Sequence, residues 1–211
     1  MQNKKKTTLA EIPPDEELVT LTLEPAKEQI SRLCTLMHNG CYVKVECGKT
    51  IRNLLCEQFQ IPFEYVRKDI KVIFLEFSPV DNLETAIIKD GATLALSAAM
   101  PGLVGAAMRR DGDLTWLRSS ITYQEGETDH QEGQGLIQIK LFNRVMADLG
   151  ESFLRRGVYV KSKYLSEFLT RFTPEFWKEF GIISKNKDTI TSQELSDFVT
   201  DHNQWVKVII T

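Results

Sequence analysis

The sequence predicts an α+β protein, with an N-terminal mixed sheet carrying helices and a smaller C-terminal α+β domain. Three observations carry this. Stretches such as "LVTLTLEP" (Leu18 to Pro25) and "CYVKVECG" (Cys41 to Gly48) alternate with period two, as half-buried strands do. Between them Ile30, Leu33, Cys34 and Met37 recur at helical spacing, and Asn39-Gly40 supplies a stop. At 211 residues the chain has room for one large domain or two small ones.

The remaining elements follow the same signals. The Thr50 hydroxyl can cap a second helix, whose apolar side is Ile51, Leu54, Leu55 and Phe59. "KVIFLEF" reads as a buried strand, "SPVDN" as a turn, and "ATLALSA" as a strand after the Asp90-Gly91 turn. "LTWLRSSITY", from Leu114 to Tyr123, reads as a further extended run. In the second half "LIQIKLF" and "VYVK" are strands. Val145, Met146, Leu149, Phe153 and Leu154 mark a helix that Gly157 ends; Tyr164, Leu165, Phe168, Leu169 and Phe172 mark another. "TPEFWKEFG" has Thr at the cap, Pro at the first helical position and Gly past the end. Thr191 and Glu194 form a capping box ahead of Leu195, Phe198 and Val199, and "WVKVII" is a closing strand.

These elements divide the chain into a flexible arm over 1–16, a sheet domain over 17–124, an acidic, glycine-rich loop or linker over 125–135, and a C-terminal domain over 136–211.

Composition narrows the function classes. With 42% hydrophobic and 26% charged residues the chain lies in the ordinary globular range. A net charge of -3 argues against nucleic-acid binding, which needs excess positive charge at the phosphates. The opening "MQNKKKTTLAEIPPDEE" lacks the apolar core of a secretory signal, so the expected compartment is cytoplasmic. Four cysteines, Cys34, Cys41, Cys47 and Cys56, are then expected as free thiols.

One stretch stands out. "DGATLALSAAMPGLVGAAMRR" runs without a charge from Gly91 to Met108. It does not predict a membrane span, which needs roughly 20 apolar residues. Thr93 and Ser97 dilute the run, and Pro101-Gly102 interrupts it.

From Cys41 to Gly105 the motifs resemble a known family. "VKVECGKTIRNLLCEQF", "IKVIFLEFSPVDN" and "IIKDGATLALSAAMPG" are similar to the small sulfur-carrier proteins of molybdopterin and thiamine biosynthesis, which have a β-grasp, ubiquitin-like fold. The matching residues are Gly48, Thr50, Ile51, Leu54 and Leu55; Pro79 and Val80; and Asp90, Gly91, Leu94 and Leu96. The resemblance implies a β-grasp-like N-terminal domain, with Gly91 to Ala99 as its last, buried strand. Carriers of this kind act through a free C-terminal Gly-Gly. Here Gly102 and Gly105 are not adjacent and the chain continues past them, so direct sulfur carriage is not the expectation.

The expected function is that of a non-enzymatic, carrier-like or adaptor protein that docks a protein partner. Its expected contact residues are Met100, Pro101, Gly102, Leu103, Gly105, Arg109 and Arg110. "PGLVGAAM" reads as a short helix with Pro101 at its first position, packed closely through its small residues. The alternative is a binding protein or enzyme for a small anionic ligand, phosphate or nucleotide, held over 101–110 by backbone amides and the two arginines.

Other candidates weigh less. "ECGKT" ends like a P-loop, but Val43 stands where the first glycine belongs. Cys34 and His38, four apart with Cys41 beyond, could meet a metal ion; Cys34 lies on the apolar helix face, so no metal or other cofactor is expected. The cysteine intervals do not fit a plant-type iron–sulfur pattern. His38, His130 and His202 show no pairing with a nucleophile. "SKNKDTITSQEL" lacks the ligand spacing and central glycine of a calcium loop. Phe168, Phe172, Phe176, Trp177, Phe180, Phe198 and Trp205 read as a core, with one of Phe176 and Trp177 expected at a contact surface.

Overall fold

The computed structural model describes residues 6–126, 132–178, 180–198 and 204–211. His130, His202, Val199, Lys4 and Lys5, and the centre of the expected 125–135 linker, lie outside the described residues, as does the side chain of Phe198. The protein is mixed α+β, as its alternating periodicities predict.

Strands in chain order are β1 (Val19–Leu23), β2 (Cys41–Cys47), β3 (Val72–Leu75), β4 (Ser78–Pro79), β5 (Thr93–Ser97), β6 (Gly133–Phe142), β7 (Val158–Lys161), β8 (Ile183–Lys185), β9 (Asp188–Thr189) and β10 (Trp205–Ile210). The helices that matter below are α1 (Lys27–Cys34), α2 (Phe63–Lys68), α3 (Gly102–Met108) and α4 (Asn143–Arg156).

The chain forms two compact units, each built from two separate stretches. One takes the chain up to Glu11 together with Val43–Met146; the other takes Ile12–Tyr42 and Ala147–Thr211. The boundaries expected from sequence cut the chain elsewhere, because strand pairing joins segments far apart in sequence. Strand β1, expected in the N-terminal sheet, pairs in parallel with β10 (Val19↔Val206 to Leu23↔Ile210) and antiparallel with β8.

In the first unit the strand order is β4-β3-β5-β6, with β2 next to β6. β3 runs antiparallel to β5, and β5 runs parallel to β6. One face of this sheet is core: Ile73, Leu75, Leu94, Leu96, Ile139 and Leu141 are each at most 1% exposed. Successive strand residues point to opposite faces, so Phe74, Ala95 and Lys140, which pair across the three strands, project from the other side.

The expected helix after β2 begins at Ile51. Thr50 caps it by accepting from the Asn53 amide at 3.1 Å. Helix geometry is α over Ile51–Asn53 and then π over Leu54–Gln58, and it buries Ile51, Leu54 and Leu55 completely. Its early amides are already used: Ile51 donates to the Ala86 carbonyl and Arg52 to that of Leu83. That leaves "ECGKT" no phosphate cradle.

Two sequence expectations change. Thr115–Arg118 is a 3-10 turn rather than a strand, with Trp116 outward and Arg118 buried. "KVIFLEF" stops at Leu75, and Glu76-Phe77 rather than "SPVDN" makes the turn, with Ser78-Pro79 as β4. Asp90 explains the Asp-Gly signal: its Oδ1 accepts from the Leu136 amide at 2.7 Å and the Leu9 amide at 3.0 Å. The same bonds tie residues 9–11, expected in a flexible arm, into a short 3-10 turn.

In the second unit the order is β7-β10-β1-β8-β9, and Tyr42 at the start of β2 pairs with Tyr159 of β7. Phe168, Phe172, Phe176, Trp177 and Phe180 form one aromatic cluster, with neighbouring centroids 4.3–5.8 Å apart. Phe176 and Trp177 both belong to it, Phe176 buried and Trp177 half-buried. Ile183–Thr189 is a β-hairpin, with Asn186 and Lys187 at positive φ as a type I′ turn requires. The hairpin takes up the first part of "SKNKDTITSQEL".

Among the described residues no helix is long and apolar enough to cross a membrane.

Candidate functional site

The uncharged stretch leaves β5, turns at Ala99–Pro101 and enters α3. Pro101 is the N-cap, in extended conformation, and Gly102 at φ 72° is the first helical residue, one position later than expected. The helix folds tightly back on the residues that lead into it. A Cβ added to Gly105 would collide with the Met100 carbonyl oxygen, so only glycine fits. Gly105 and Ala107 face inward; Leu103 (71% exposed) and Val104 (63%) face solvent.

Two buried arginines hold this segment. Arg110 sends its Nη2 to the carbonyls of Val66 (2.7 Å) and Ile70 (3.1 Å), at the C-terminal end of α2, where a cation complements the helix dipole. Among the described residues its Nε has no hydrogen-bond partner, and burial lowers its pKa. Arg118 donates from Nε to the Ala107 carbonyl at 2.6 Å and grips the Asp81 carboxylate with both terminal nitrogens. The 3-10 turn is thereby fixed beside α3, and it exposes Trp116 and Leu117.

Of the residues expected to make contacts, Met100, Pro101, Gly102, Leu103 and Arg109 are therefore at the surface. Gly105 and Arg110 are not. Arg110 is spent on backbone carbonyls, a role that sequence cannot distinguish from a solvent-facing arginine.

Beside Met100 and Pro101 lies a cavity of about 400 Å³ on the outward face of the sheet. Phe74, Ala95 and Phe142 line its floor, and Phe77 stands at its wall. Sequence reasoning missed this feature. The Glu76-Phe77 turn joins β3 to β4 with φ values of 51° and 66°, both left-handed, in a two-residue hairpin without glycine. Such a conformation costs roughly 1–2 kcal/mol per residue. Phe77 recovers none of it by burial, being 78% exposed.

The cysteines are free. Cys34, Cys41 and Cys47 are buried and Cys56 is half-buried. Burial pushes the Cys34 and Cys47 thiols up to about 11, helped by Glu151 and Asp90 respectively, and raises Cys41 further. His38 is exposed while Cys34 is buried. Among the described residues no group of three or more His, Cys, Asp or Glu side chains is placed to hold a metal ion.

Comparison with known proteins returns no matching family model, no matching curated relative and no matching solved structure.

Proposed function

We propose that the chain is a non-enzymatic, carrier-like or adaptor module that docks a protein partner through its first unit. The observation that carries this reading is a set of large apolar side chains, Leu103, Val104, Trp116 and Leu117, left 48–71% exposed on two adjoining elements. A soluble domain rarely leaves such a patch uncovered unless it is used. Arg118 locks the two elements together, so the patch is preorganised and binding costs little ordering entropy.

The β-grasp resemblance belongs to the same proposal. Strand 41–47, the helix starting at Ile51, strand 72–75 and strand 93–97 occur in the order its motifs imply. A phosphate or nucleotide over 101–110 has less support, since Arg110 is occupied with main-chain carbonyls.

Site-specific photo-crosslinking tests the docking. A benzophenone side chain at Leu103 should capture one defined protein in host cells, and the same group at exposed Arg156 should not. Capture that is equal at both positions, or absent from Leu103, refutes the reading.

A further inference from the structure

We propose that the cavity behind Phe77 is a binding site for a small amphipathic monocarboxylate, an apolar chain or single ring ending in one carboxylate. This goes beyond partner docking, since none of Leu103, Val104, Trp116 and Leu117 lines the cavity.

The cavity arises from a size mismatch within the sheet. Phe74, Ala95 and Lys140 are cross-strand partners on β3, β5 and β6, so their side chains stand in one row on one face. Ala95, the middle member, is the small one, and the gap above its methyl group is the pocket floor. Phe142, two residues beyond Lys140 on the same face, continues the floor. Phe77, Met100 and Pro101 raise the walls. A volume of about 400 Å³ falls toward the small end of ligand sites, which run roughly 300–1,000 Å³. That suits a medium-length chain or one ring.

The head group follows from the polar atoms. Both amide hydrogens of Asn143 are engaged, with the Ser97 hydroxyl at 3.1 Å and the Ala99 carbonyl at 2.7 Å. Ser97 itself donates to the Ala99 carbonyl at 2.8 Å. Lys140 is the one ionisable residue of the lining, it is half-buried, and among the described residues it makes no ion pair. The nearby carboxylate of Glu76 is already held by the Thr93 amide and by Lys6. The exposed lining is almost wholly apolar, so Lys140 lends the cavity its aliphatic stem while the uncommitted ammonium stands outside the apolar space. That arrangement suits an apolar body whose single negative charge stays at the mouth. A phosphate ester with its greater charge would meet no second cation there.

Octanoate, octylamine and 1-octanol, titrated into the full chain and followed by amide NMR, test this. Octanoate should give saturable shifts at Ala95 and Phe142 and bind about tenfold more tightly than octylamine, the worth of one charge-assisted hydrogen bond. Lys140→Gln should bring octanoate down to the level of 1-octanol. Ala95→Leu should abolish binding by filling the floor; Phe77→Ala, which alters only an exposed side chain, should weaken it and decides the matter where Ala95→Leu does not fold. Crosslinking at Leu103 should be unchanged in all three variants, which separates this site from the docking patch. No saturable shift at the pocket, equal affinity for octylamine, or full octanoate affinity in Lys140→Gln would overturn the proposal.

Discussion

Arg118 places its two terminal guanidinium nitrogens on the two carboxylate oxygens of Asp81, at 2.6 Å and 3.0 Å, while its Nε reaches the Ala107 carbonyl. The arginine is 2% exposed and the aspartate 39%, so the two ends of the pair are not equivalent. Removing the arginine strands a buried carbonyl and a carboxylate. Removing the charge of the aspartate leaves a guanidinium that still has Ala107 and Thr122. Arg118→Ala should therefore destabilise the protein by about 2–4 kcal/mol, and Asp81→Asn by distinctly less. Urea midpoints measured on both variants decide it, and equal losses would contradict the asymmetry.

The two glycines of α3 should respond differently to alanine. Gly102 lies at φ +72° with nothing within 4 Å of a new Cβ, so Gly102→Ala meets backbone strain alone, about 1–2 kcal/mol. Gly105→Ala drives a methyl group into the Met100 carbonyl, and the helix must move away from the strand exit. That cost should exceed the first and fall at or above the overpacking range of about 1–3 kcal/mol. Thermal denaturation in parallel checks the ranking.

Phe77→Gly should raise stability. The substitution relieves a left-handed backbone and removes an aromatic side chain that is 78% exposed. A gain of up to about 1 kcal/mol is expected, tempered by the freedom glycine adds to the unfolded chain. Octanoate affinity should fall in the same variant. A stabler protein that binds less is the signature of a residue kept for contact rather than folding. Loss of stability would show that Phe77 has a packing role.

The buried thiols set an alkaline limit. Cys34 and Cys47 ionise near 11 in the folded protein, against about 8.5 when unfolded, so between these values the unfolded chain binds fewer protons. Stability is thus full below about pH 8.5 and falls as pH rises toward 11. In Cys34→Ala/Cys47→Ala the fall from pH 8 to 10.5 should be shallower than in the parent, whatever the starting stability. Urea titrations across that range measure both slopes, and parallel curves would remove the thiols from the account.

Much of the fold is legible in the residues because local period and burial agree. β2 alternates as read, with Cys41, Val43, Val45 and Cys47 inward, and the Thr50 cap and Gly157 stop fall where the signals put them. "LTWLRSSITY" misleads because burial there inverts hydropathy: Trp116 and Leu117 are outside and Arg118 is inside. No local pattern announces an arginine whose partners are Ala107 and Asp81. The candidate surface is half legible in the same sense. Leu103 and Met100 stand out in an uncharged run, but the pocket depends on register, since Ala95 makes a floor only once Phe74 and Lys140 flank it. Phe77 is hidden by its own context, a strand-like sequence that turns without glycine or asparagine.

The parallel pairing of β1 with β10 bears on how the molecule is made. The ribosome releases Val19–Leu23 long before its partner Trp205–Ile210, with the whole of Val43–Met146 made in between. The first unit, whose last residue is Met146, has all its strands in hand well before that. Vectorial synthesis therefore favours one unit folding while the other waits with an apolar strand edge uncovered, the interval in which nascent chains recruit chaperones or aggregate.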